Sequence, residues 1–183
     1  METTRMGFVE AVKTCLKKSF VFTGRARRSE FWWWTLFSFI IGLAVSFVAD
    51  EIPDDNLLLT LLFTFGMLAF CIYLGIANFA VSTRRLHDIG RSGWWYGVTL
   101  IFGVVWTVWM IVKMIGLVGG MDLDHVDVES DAFALTLLKE MWDVILIPYI
   151  LYIAYSILLL VWYCKDSQPG ANKYGENPKG VVE

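Results

Sequence analysis

LLLTLLFTFGMLAFCIYLGIANFAV, residues 57–81, contains no charged side chain and runs directly into STRRLHDIGRSGWW, residues 82–95. A helix over 57–81 rises about 37 Å, more than the ~30 Å of a bilayer's hydrocarbon core. Arginines immediately beyond such a stretch belong at the polar boundary, where their charge stays hydrated. On either side lie three more stretches of spanning length, at 31–49, 94–118 and 144–163. The first of these is also free of charge. The second carries Lys113 near its far end, where a long side chain reaches the interface. The third carries Pro148 one turn in, a position at which a helix tolerates proline.

The segments between these stretches alternate in charge. Residues 1–30 hold Arg5, Lys13, Lys17, Lys18, Arg25, Arg27 and Arg28, whereas 50–56 hold only Asp50, Glu51, Asp54 and Asp55. Residues 82–93 hold Arg84, Arg85 and Arg91, while 119–143 set Lys139 against seven acids; the tail from 164 holds Lys165, Lys173 and Lys179. Rich, empty, rich, poor, rich is the pattern of four spans with the N- and C-termini both cytoplasmic, in a bacterial inner (plasma) membrane. Trp32, Trp33 and Trp34 open the first span, and Trp94, Trp95 and Tyr96 open the third. Both groups fall at the expected cytoplasmic interface, which suits an apolar ring bearing one N–H. Trp142 and Trp162 flank the fourth.

Composition agrees. Hydrophobic residues make up 57% and charged residues 18% of 183, with a mean hydropathy of +0.57. A soluble domain this apolar would expose patches that drive aggregation. Cys15, Cys71 and Cys164 stand far apart with no CxxC spacing, which argues against a disulfide framework or zinc motif; Cys71, inside an apolar run, reads as a small core residue. Lys13, Lys17 and Lys18 interrupt the N-terminal apolar residues, so no signal-peptide core forms and the first span is expected to persist.

Ahead of the first span, Met6, Val9, Val12, Leu16 and Phe20 recur every three or four residues, with Glu10, Lys13, Lys17 and Lys18 off that stripe. Residues 5–21 read either as an interfacial helix on the inner leaflet or as an amphipathic helix packed on the bundle. The fold expected is all-α: an integral membrane four-helix bundle preceded by this interfacial helix. The chain, 1–183, would form a single membrane domain with a cytoplasmic tail at 164–183.

Three polar motifs sit at cytoplasmic span ends: GRARRSEFW at 24–32, RRLHDIGRSGWW at 84–95 and PGANKYGENP at 169–178. Ser29 is a candidate N-cap of the first span with Glu30 in its first turn, and Ser92 a candidate cap of the third. Arg84 and Arg85 follow the C-terminal end of the second span. Gly90 and Gly93 permit the reversal between spans, and the third motif is rich in turn formers. In this order the motifs resemble those of the bacterial inner-membrane family of domain of unknown function 805, the YhaH-type proteins. The resemblance implies location and fold and carries no activity, ligand or mechanism. In the family's shorter members one brief apolar stretch joins the GWW segment to the tail. Here that interval holds two spans and the acidic segment 119–143, which reads as an addition of longer members.

Topology explains the arginines but not the acids and the histidine among them. The candidate lipid- or partner-binding set is therefore Arg25, Arg28, Glu30, Arg84, Arg85, His87, Asp88 and Arg91. Glu30 with Arg84 or Arg85, and Asp88 with Arg28, would clamp the segments together. Desolvated arginines would alternatively grip a lipid phosphate in bidentate fashion. Trp32, Trp33, Trp94 and Trp95 are the membrane-interface anchors, and Asn78 is the main polar side chain within a span, suited to a hydrogen bond across helices. His87 beside Asp88 leaves structural, acid–base and metal-ligand readings open, with no second histidine on its side of the membrane. No catalytic residue is assigned, because HExxH, GxSxG and Walker patterns are absent. Neither is a cofactor or metal site. The acidic segment, with Asp122, Asp124, Asp127, Glu129 and Asp131, fails EF-hand spacing because Val126, Asp127 and Phe133 stand at the fifth, sixth and twelfth positions.

The partners expected are membrane lipids, a homo-oligomer or a membrane-protein partner, and no nucleic acid. A non-enzymatic module with a cytoplasmic polar patch is the leading reading. An oligomeric transporter or channel subunit is the second, weakened by the lack of acids or lysines at span centres. A lipid-modifying enzyme built on His87 and Asp88 is the third.

Overall fold

Hydrophobic runs this long satisfy their backbone only by coiling, because lipid offers no alternative hydrogen-bond partner. The computed structural model describes residues 6–50, 57–119 and 131–180. Among them lie five helices: α1 (Phe8–Lys17), α2 (Arg28–Asp50), α3 (Leu57–Asp88), α4 (Trp94–Gly119) and α5 (Asp131–Cys164). The described residues contain no strand, only an isolated bridge between Asn172 and Gly175. Four segments are long and apolar enough to cross a membrane: Arg28–Val48, Leu57–Asp88, Trp94–Leu117 and Val144–Cys164. The fold is thus the expected all-α membrane type. The chain divides into two compact units, Met1–Tyr96 with Trp162–Glu183, and Gly97–Val161.

In the first unit α1 packs on α2 and, less extensively, on α3. Helix α1 stops short of the expected 5–21 because Ser19 turns its hydroxyl back onto the carbonyls of Cys15 (3.1 Å) and Leu16 (2.8 Å). Such local bonding competes with continuation of a helix. Helix α2 starts at Arg28, so Ser29 lies inside its first turn instead of capping it. Helix α3 does not end before the arginines. Its 32 residues rise about 48 Å and carry Arg84, Arg85, His87 and Asp88 in the last two turns. That length exceeds the hydrocarbon by several turns, so the charged end projects beyond it while 57–81 suffices to span.

Gly90 ends α3. At φ +77° it occupies the left-handed region, the amide of Arg91 reaches back to the carbonyl of Leu86 (2.9 Å) and that of Gly90 to His87 (3.0 Å). These two bonds make the paired C-terminal cap that glycine permits. Gly93 serves a close approach: a Cβ there would lie 2.4 Å from Thr83 Cγ2. Helix α4 starts at Trp94, so Gly93 and not Ser92 holds the N-cap position; the Ser92 hydroxyl accepts from the Trp94 amide at 3.4 Å.

In the second unit, Pro148 lacks the N–H that would bond the carbonyl of Val144. The indole of Trp106 on α4 donates to that carbonyl instead, at 2.8 Å. Helix α5 begins at Asp131, 13 residues before the expected span start at Val144, so the second half of segment 119–143 is helical. Asp122, Asp124, His125, Asp127 and Glu129 lie outside the described residues, as does the acidic connection at 51–56.

Candidate functional site: a polar cap at the end of α3

Two neighbouring arginines on a helix point about 100° apart, so Arg84 and Arg85 engage different partners. Arg84 turns toward the N-terminal segment. Its Nη2 pairs with Glu30 Oε1 at 3.0 Å, and its Nη1 donates to the carbonyls of Lys18 (2.7 Å) and Val21 (2.8 Å). Cys15 completes this cluster, its thiol 3.8 Å from Glu30 Oε1. Burial first, then the adjacent Glu30 carboxylate, push the Cys15 thiol up to about 12, so it stays protonated and acts as a donor.

Arg85 turns toward the C-terminal segment. Its Nε and Nη2 cap the carbonyl of Tyr163 at the end of α5 (3.2 and 3.1 Å), Nη2 also donates to the carbonyl of Lys165, and Nη1 pairs with Asp88 Oδ2. An acid at a helix C-terminus is disfavoured by the dipole. Here Asp88 is bracketed by a second guanidinium, Arg25 Nε at 3.0 Å from Oδ1, and by the Ser167 hydroxyl at 2.6 Å. Arg25 spends its remaining donors on backbone: the carbonyls of Gly170 (2.8 Å), Gln168 (2.6 Å), Gly175 (3.3 Å) and Asp88 (3.3 Å). Arg84 is 2% exposed, and Arg85 and Asp88 are fully buried. The two clusters tie residues 18–30, 84–91 and 163–175 into one cap.

The segment after α5 acts as a strap across α3. Its Gln168 amide donates to the carbonyl of Asp88 (2.9 Å) and its Asn172 amide group to that of His87 (3.0 Å), which also accepts from the Gly90 amide. Asn172 and Gly175 exchange backbone bonds (3.0 and 2.9 Å), and Asn172 Oδ1 accepts from the Tyr174 amide, an Asx turn. That turn lays Tyr174 flat on His87, ring centroids 3.8 Å apart and planes at 6°. His87 Nδ1 lies 3.1 Å from the carbonyl of Gly24; a carbonyl only accepts, so Nδ1 carries the proton. His87 and Asp88 therefore face different partners and form no dyad.

The eight candidate residues separate into an interior and a rim. Glu30 meets Arg84, one of the two pairings expected, but Asp88 is claimed by Arg25 and Arg85 and not by Arg28. Arg28 lies outside, 3.4 Å from the exposed Asp166, which also pairs with Lys179. The Lys179 ammonium and the Ser167 amide hold the Asp166 carboxyl below the usual carboxylate range. Arg91 stacks its guanidinium over the indole of Trp162, 3.8 Å from the ring centroid. Of the aromatic anchors Trp32, Trp33, Trp94 and Trp95 are exposed, whereas Trp34 is buried and donates to Asn78 Oδ1 at 2.8 Å, with Ser38 at 3.4 Å. Asn78 thus bonds across α2 and α3. Cys71, expected in a core, is exposed on α3, and Cys15 is the buried cysteine.

The sequence reading left Cys15, Tyr163, Ser167, Gln168, Asn172 and Tyr174 out of the site. Turn formers at 169–178 announced the bend of the strap but not its acceptors, because backbone carbonyls carry no residue signature.

The chain is similar in sequence to known proteins. The profile of the family described as "Protein of unknown function (DUF805)" matches residues 19–122, from the bend after α1 through the whole of α3 and α4. The chain belongs to this family. It is 25% identical over 164 residues to the inner membrane protein YhaI of Escherichia coli K12, covering 90% of this chain and 91% of that protein. It is 35% identical over 101 residues to the inner membrane protein YhaH of the same strain, covering 53% of this chain and 75% of that protein. No solved structure matches. The family match contains Arg25, Glu30, Arg84, Arg85 and Asp88 but ends before the strap. Family membership and the four apolar helices make this an integral inner-membrane protein.

Proposed function

We propose that the protein is a non-enzymatic membrane module, with both termini in the cytoplasm, whose cap presents a basic and aromatic rim to anionic lipid headgroups. The observation that carries this is the commitment of Arg25, Arg84 and Arg85 to carboxylates and carbonyls of the same chain. A buried guanidinium with this many internal acceptors is a staple, and seizing a phosphate would require it to abandon them. The lipid-facing role then falls to the cations and indoles outside: Arg28, Arg91 and Lys173, with Trp32, Trp33, Trp94 and Trp95. The orientation is supported by the alternating charge of the connections and by the attachment of the N-terminal and C-terminal segments to the same end of α3.

Two measurements test it. In sealed cells or oriented vesicles, a membrane-impermeant maleimide should label the exposed Cys164 only from the cytoplasmic side; labelling from the periplasmic side would overturn the orientation. Protein extracted from mixed vesicles of phosphatidylglycerol and phosphatidylcholine should retain the anionic lipid in excess. Retention in the ratio supplied would end the headgroup reading and favour a protein partner.

A further inference from the structure

Helix α1 has three faces, and the one turned to the protein is not its large apolar stripe. Ala11, Cys15 and, just past the helix, Ser19 are buried, small side chains that let the helix lie close against α2 and α3. The larger apolar residues lie on the neighbouring sector and remain uncovered: Val9 is 62% and Phe20 66% exposed, and Phe8, Leu16 and Val21 are exposed as well. Beyond them, on the far side, come Lys13 and Lys17, which flank an open groove shared with Val9, Glu10 and Thr14.

The position of α1 along the bundle is fixed from two directions. Tyr73 of α3 meets the Ser19 hydroxyl at 3.0 Å, and Arg84, about 16 Å further along the same helix, holds the carbonyls of Lys18 and Val21. The bend after α1 therefore sits between the apolar body of α3 and its charged end. Its exposed edge meets aromatic residues of α2 and α3: Phe8 meets Trp33 edge-on at 5.7 Å and Phe20 meets Tyr73 at 6.2 Å. A helix at that level, with apolar residues on one flank and lysines on the next, matches the boundary between acyl chains and headgroups.

We infer that α1 is an in-plane anchor that sinks Val9, Leu16 and Phe20 into the acyl region and holds anionic phospholipid headgroups with Lys13 and Lys17. This deepens the headgroup reading above and rests on it. The ligand class is a phosphate-bearing anionic lipid, recognised on α1 by paired ammonium groups one turn apart and not by the buried Arg25, Arg84 and Arg85. The whole chain is needed to test it, since α1 is positioned by Arg84 and Tyr73.

The experiment compares wild type with Lys13→Gln/Lys17→Gln, both in vesicles of phosphatidylglycerol and phosphatidylcholine. Both lysines are exposed, and a cap still folded in the variant is verified by continued protection of Cys15 from alkylation. The excess of anionic lipid co-purifying with the protein should fall about thirtyfold in the variant, as expected for two lysines at an anionic surface. An unchanged excess would overturn the inference while leaving the headgroup reading intact. No excess in wild type would remove both. In parallel, nitroxide labels at Leu16→Cys and Lys13→Cys, in a Cys71→Ala/Cys164→Ser background, report depth. Position 16 should favour oxygen and position 13 a water-soluble nickel chelate; equal chelate access at both would overturn the in-plane placement.

Discussion

The charged end of α3 and the proline turn of α5 face the same problem, polar groups beside an apolar phase, and meet it at different scales. At Pro148 one carbonyl is orphaned and one indole, from Trp106, satisfies it. At Arg84, Arg85 and Asp88 three full charges are buried, and their partners come from segments as distant as Lys18 and Ser167. The first arrangement needs only a neighbouring helix. The second needs the N-terminal bend, the α3 terminus and the strap to be in place together, so the cap should fold as a unit and fail as one.

The largest effect should follow from Asp88→Asn, which leaves the buried Arg25 and Arg85 guanidiniums without their shared counter-charge. Loss of about 3–5 kcal/mol is expected, measured as unfolding in mixed micelles, together with release of the strap seen as faster amide exchange over 165–180. A loss below 1 kcal/mol would mean that carbonyls alone hold the cap. Trp106→Phe keeps an aromatic ring but removes the donor to Val144 and part of the indole's volume, so about 1–2 kcal/mol should be lost, with strap exchange unchanged. If it instead loosened the strap, the contrast between the two regions would collapse.

Reactivity sharpens the comparison within the cap. Cys15, its thiol held up at about 12, should resist iodoacetamide at pH 8 while the exposed Cys164 reacts. Arg84→Met should expose Cys15 by freeing the bend. The smallest effect is acidic. The folded Asp166 carboxyl is depressed, so its contribution is present above the ordinary carboxylate range and is lost as pH falls through its lowered value. Because Asp166 lies on the surface, only local loosening around Lys179 and Arg28 is expected, visible as amide exchange and not as unfolding.

Much of the architecture was legible in residue order. Uncharged runs marked the spans, arginine placement marked their ends, and Gly90 marked the reversal. The Glu30–Arg84 pair followed from an acid that topology did not require. The continuation of α3 to Asp88 was harder to read, because a basic segment after an apolar run looks like a loop until its arginines prove to have acceptors. Arg25 shows the limit most clearly. Four of its acceptors are backbone oxygens, of Asp88, Gln168, Gly170 and Gly175, and every residue in the chain offers one of those. The three faces of α1 were hidden for a related reason: periodicity shows that a stripe exists but not whether protein or lipid covers it.

The claim that the family arginines are closed on the chain itself is tested most directly by a double-mutant cycle between Glu30 and Arg84, read as unfolding free energy in mixed micelles. Glu30→Leu and Arg84→Met should each cost about 3–5 kcal/mol, and the double variant no more than the costlier single, because removing both charges leaves neither stranded. Costs that simply add would show that the two side chains stabilise the protein independently, and the stapled cap would be contradicted.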